Sequence, residues 1–73
     1  MNDNNEMWSM TLNMVIAAYL HKDPDTQVRR MAKRYKKSTK DKTAQRTLRV
    51  IIKSPQPSKV VKVAYDELTS EMD

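Results

Sequence analysis

Lys42, Arg46, Arg49 and Lys53 recur at i, i+4, i+7 and i+11, a spacing that brings side chains onto one face of an α-helix. Four cations in such a row can neutralise a line of phosphates or carboxylates, and arginine can add two parallel hydrogen bonds to a planar acceptor. Upstream, Arg29, Arg30, Lys33, Arg34, Lys36 and Lys37 surround an apolar stripe of the same helical period, and Lys40 lies between the two groups. Residues 22–53 hold twelve Lys and Arg against Asp23, Asp25 and Asp41, a net of +9, whereas residues 1–21 and 54–73 each sum to −2. A localised field of this kind points to an anionic partner.

Catalytic chemistry has little to draw on. His21 is the sole histidine, cysteine is absent, and no hydroxyl residue has a base at useful spacing, so neither a zinc site nor an activated nucleophile is expected. The absence of glycine removes glycine-rich phosphate loops. Asp66, Glu67, Glu71 and Asp73 form an acidic surface in preference to a cation site. The expectation is a protein that is not an enzyme and needs no cofactor or metal. Asp3 and Glu6 stand where an export signal carries cations, and the apolar run from Met14 to Leu20 is far shorter than the roughly 20 residues of a membrane span. A cytoplasmic location follows as an expectation, in a bacterium or a virus host, at the nucleoid if DNA is bound.

The elements that position these cations are four helices of one domain, residues 1–73. The first runs from about 5 to 21, with Trp8, Leu12, Val15 and Tyr19 stacked on a core face beside Ile16. Met7, Met14 and Ala18 fall on a second apolar flank, so this helix is expected to be central in the domain. With Trp8, that flank is a candidate interface, which a homodimer would bury. Asp23 followed by Pro24 caps a second helix over 24–37 whose stripe is Val28, Met31, Ala32 and Tyr35. The turn STKD leads to a third helix over 41–53 with Ala44, Leu48, Ile51 and Ile52 inward, and Pro57 opens a fourth over 57–72, carrying Val61, Ala64, Tyr65, Leu68 and Met72. The segment KVVKVAY also has strand character and could pair with LRVIIK across SPQPS. The helix is favoured because its pattern continues to Met72 and the connection lacks the Gly, Asn or Asp of tight hairpins. The fold class is all-α, a small bundle of four helices.

Within it, Tyr19-Leu20, Asp23-Pro24-Asp25, Met31-Ala32 and the set Thr43, Arg46, Leu48 follow the order of a helix-turn-helix. The middle of the chain resembles that DNA-binding domain, in particular the three-helix core of winged-helix repressors, over roughly half its length. No two-stranded wing follows the third helix. The resemblance implies that Lys42, Thr43, Gln45, Arg46 and Arg49 face the groove, Gln pairing with adenine and Arg with guanine. Lys33, Lys36, Lys37 and Lys40 would then contact phosphates. A small DNA-binding regulatory or accessory protein is the leading expectation, with DNA favoured over RNA because the aromatic residues fall on core stripes. The alternative is an interaction module that inhibits or modulates a larger protein, such as a nucleic-acid-processing enzyme, by docking on an acidic surface.

Overall fold

Capping residues decide where the second, third and fourth helices of this bundle begin. The computed structural model describes residues 3–72, and the side chains of residues 6–70. The chain forms α1 (Asp3–Leu20), α2 (Pro24–Ser38), α3 (Lys42–Lys53) and α4 (Pro57–Met72), a compact all-α bundle with a radius of gyration of 11.2 Å. That radius matches the roughly 11 Å expected for a folded domain of this length.

Asp23 accepts from the Thr26 N–H at 3.4 Å and from the Thr26 hydroxyl at 2.8 Å, while Pro24 takes the first position of α2, where no backbone donor is needed. Asp41 accepts from the Thr43 N–H at 3.0 Å, so α3 starts at Lys42, one residue after the expected boundary. Pro57 opens α4 and is buried. Here the cap comes from another helix: Asp25 Oδ1 accepts from the Ser58 N–H at 3.0 Å and from the Ser58 hydroxyl at 2.7 Å. No described residue has a positive φ, consistent with a chain that has no glycine to place there. Residues 58–65, which also suited a strand, are helical.

The core is built from Met7, Met10, Met14 and Ala18 of α1, Val28 and Ala32 of α2, Ala44, Leu48 and Ile51 of α3, and Val61 of α4. The inward stripes of α2 and α3 lie where the periodicity puts them, Ile52, Met31 and Tyr35 packing at the edge. On α4, Tyr65, Ala64 and Leu68 are half-buried, and the side chain of Met72 lies outside the described residues.

The orientation of α1 corrects the sequence expectation. Its Met7–Met14–Ala18 flank, expected to be available to a partner, is the core face, and of the four candidate interface residues only Trp8 retains partial exposure. The expected core face is only partly inward: Trp8, Leu12 and Val15 are half-buried, Val15 packing against the core, whereas Ile16 is 46% exposed and Tyr19 70%. A helix apolar around most of its circumference has no preferred face by hydropathy alone, so packing decides. Unbranched Met7, Met10 and Met14 can fill irregular space in a core that also holds small Ala18, Ala32 and Ala44. Thr11, fully buried on the same face, bonds the carbonyls of Met7 at 2.9 Å and Trp8 at 3.0 Å, which offsets the desolvation of its hydroxyl. Nor is α1 central: α2 and α4 each pack on all three other helices, whereas α1 packs chiefly on α4 and α2.

Candidate functional site

The cationic residues gather on α2, α3 and the three-residue turn between them, Thr39–Asp41. Thr39 holds that turn. It is buried, its N–H donates to Tyr35 O at 2.9 Å, and its hydroxyl donates to the Glu6 carboxylate of α1. The same hydroxyl oxygen accepts from the Asp41 N–H at 3.3 Å, and the Thr39 carbonyl accepts from Gln45 Nε2 at 2.8 Å. Three helices are thus fastened at one residue, and α3 leaves the turn in a fixed direction.

The other end of the helix pair is closed by Arg29. Its Nε donates to Ile52 O at 3.1 Å and its Nη2 to Ser54 O at 2.8 Å. Carbonyls at a helix C-terminus lack intrahelical partners and carry partial negative charge, so a guanidinium is well matched to them.

On this frame Lys42, Arg46, Arg49 and Lys53 are all exposed, standing on the face away from buried Ala44, Leu48 and Ile51. Arg30, Lys33, Arg34, Lys37 and Lys40 are exposed as well, Lys36 is half-buried, and Thr43 is exposed. Two members of the expected set are committed elsewhere. Arg29 donates its Nε and one Nη to carbonyls at the end of α3, and Gln45 donates one amide N–H to the Thr39 carbonyl, both side chains being half-buried.

A pattern the sequence reading passed over completes the site. Thr26, Arg30, Lys33 and Lys37 are exposed and repeat on α2 the i, i+4, i+7, i+11 spacing of the α3 row. Lys33, Lys36 and Lys37 share a shallow hollow of about 350 Å³ with Ile52 of α3, and a second of about 240 Å³ is lined by Thr26, Arg29, Arg30 and Lys33. The helix pair therefore carries one cationic row on each member, with shallow hollows lined by the α2 row, one of them reaching Ile52 of α3. Like charges at this density repel one another in the free protein, and an anion seated between them relieves that repulsion. Lys36, Lys37 and Lys53 also stand in last turns, where a cation complements the helix dipole. Within the two rows that stabilising role accounts for Lys37 and Lys53 and leaves Arg30, Lys33, Lys42, Arg46 and Arg49 without one.

Trp8 lies against Tyr65, with ring centroids 6.2 Å apart, and Tyr35 packs on the core. Neither offers a stacking platform on the cationic face. No helix among the described residues is long and apolar enough to cross a membrane.

Fold and surface together define a small all-helical module with a cationic helix pair. Over residues 5–69 the chain matches the family described as "Domain of unknown function (DUF7740)", and it belongs to that family. No curated protein and no solved structure matches it.

Proposed function

We propose that this module binds DNA in a regulatory or accessory role, with α2–α3 acting as a helix-turn-helix-like unit. The reading is carried by the row Lys42, Arg46, Arg49 and Lys53, exposed along its whole length on a helix whose direction is fixed by Thr39 and Arg29. Phosphate neutralisation by the α2 row and Lys40 provides affinity and position. Arg46 and Arg49, with Thr43 nearer the start of α3, provide what base preference there is. With one Gln45 amide N–H held on Thr39 and its side chain half-buried, the two arginines carry most of that preference, toward guanine.

Titration of a labelled duplex at several salt concentrations tests this. With about four phosphates neutralised, log K should fall against log salt with a slope of about −3.6. No binding at low salt removes the DNA reading. Val50, 57% exposed beside the α3 row, supports the second reading, docking on an acidic protein surface, because an apolar contact among cations suits a protein interface. Loss of affinity on Val50→Ser without any change in salt slope distinguishes such a contact from phosphate binding.

A further inference from the structure

On one side α1 meets α4, where the Lys62 ammonium lies 4.3 Å over the Tyr19 ring and Trp8 faces Tyr65. On the other side it meets α2, where Asn13 Nδ2 donates to the Tyr35 hydroxyl at 3.3 Å. A third face points outward. It carries Ile16, 46% exposed, and Leu20, 77% exposed, with half-buried Leu12 one turn earlier and Tyr19 at its margin. Leu12, Ile16 and Leu20 follow i, i+4 and i+8, so they form a continuous strip. Single exposed aliphatics are ordinary, but a contiguous strip marks an interaction surface.

Charge identifies what fits it. From Met7 to Leu20 there is no charged side chain, in a chain whose net charge is +5. Two copies repel through their cationic faces, and the α1 strip is a face where they can meet without setting like charges opposite each other. The helix is also polarised along its length. Glu6, exposed although one of its carboxylate oxygens accepts from the Thr39 hydroxyl, stands near its start, and Lys22, exposed, stands just past its end. An antiparallel copy brings the Glu6 end of one chain alongside the Lys22 end of the other and opposes the two helix dipoles, whereas a parallel copy sets like with like.

We propose that a second copy of this chain covers the strip, α1 against α1 in antiparallel sense about a two-fold axis between Leu12 and Ile16. The contact is isologous: Ile16 of each copy meets Leu12 of the other, and Leu20 of each approaches Trp8 of the other. The strip shares no residue with the cationic helix pair, so each copy keeps its own α2–α3 face.

Sedimentation equilibrium of the full chain without nucleic acid tests the proposal independently of the DNA reading. Across about 1–200 µM the mass should rise from 8.5 kDa toward twice that value. Leu20→Glu and Ile16→Glu should each raise the dimer dissociation constant about tenfold or more, because a carboxylate must be desolvated in the contact. Far-UV circular dichroism should stay unchanged, and so should the melting midpoint at concentrations low enough for all three proteins to be monomeric. The chain has no cysteine, so orientation can be read from oxidative crosslinking. Ser9→Cys mixed with Leu20→Cys should form a covalent pair, and neither variant should do so alone. A monomer over the whole range, a dimer indifferent to both glutamate substitutions, or self-crosslinking of Ser9→Cys overturns the proposal.

Discussion

Ser58, in the first turn of α4, donates both its backbone N–H and its hydroxyl to the same carboxylate oxygen of Asp25, in the first turn of α2. The side-chain bond and then the backbone bond from Ser58 hold the Asp25 carboxyl below its ordinary range; desolvation opposes them, and Arg29 and Lys59 add to the lowering. A carboxylate whose folded pKa is depressed contributes stability that is present above its unfolded pKa and lost as pH falls through the folded one. The melting temperature of the chain should therefore decline below about pH 4, and Asp25→Asn should remove part of that decline. Thermal melts of both proteins between neutral and acidic pH make the comparison. Parallel curves for the two would mean that the Ser58 bonds do not hold the charged form.

Arg29 and Arg30 are neighbours in sequence with opposite expected effects. Arg29→Ala leaves the Ile52 and Ser54 carbonyls without their charged donor and should destabilise the fold by about 1–3 kcal/mol. For a domain of this size each kcal/mol lowers the melting temperature by about 4–8 °C. Arg29→Lys should recover only part of this, since an ammonium cannot reproduce the two-nitrogen fork. Arg30, exposed, should change stability by less than about 0.5 kcal/mol when replaced by Ala, while weakening DNA binding. Equal melting temperatures for the two alanine variants would remove the clamp role of Arg29.

Thr39 and Gln45 form a comparable pair at the turn. Thr39→Val keeps the shape but deletes the hydroxyl shared by Glu6 and the Asp41 N–H, at a cost of about 1–2 kcal/mol. Gln45→Ala should also lower stability, by about 0.5–1.5 kcal/mol, and leave sequence preference as it was. A DNA site selection repeated with Gln45→Ala is the check; an altered preference at any base would mean that the amide leaves Thr39 on binding.

Helix boundaries were legible because their signals are local. Asp23-Pro24, Asp41 and Pro57 each act within a few residues of where they stand, and the α2 and α3 stripes have polar surroundings that fix their facing. The facing of α1 was not legible, since Trp8, Leu12 and Tyr19 are as apolar as Met7, Met14 and Ala18, and the choice between them is made by the residues of α2 and α4 that arrive opposite. The bonds of Arg29 to Ile52 and Ser54 and of Asp25 to Ser58 join groups more than twenty residues apart. An arginine on a polar helix face has the same pattern whether its partner is water, phosphate or a carbonyl. The α3 row was legible, whereas its counterpart Thr26, Arg30, Lys33 and Lys37 was hidden by the abundance of cations around it.

Arg46 and Lys37 separate reading from holding. Both are exposed, one on each row, and both would lose one cation on substitution with Ala, so a purely electrostatic surface would respond to the two changes alike. If α3 enters the major groove, Arg46 can meet the two acceptors of guanine, and Arg46→Ala should lower affinity for the preferred site by about 1–3 kcal/mol while changing binding to other duplexes much less. Lys37→Ala should weaken every duplex by a similar factor and reduce the magnitude of the salt slope by about one. Titrations of both variants and of the unsubstituted chain against the preferred site and a scrambled duplex, at two salt concentrations, give the affinities and slopes required. Matching losses on both duplexes for both variants would show that α3 holds DNA without reading it, because a cation that recognises a base must lose more on the right sequence than on the wrong one.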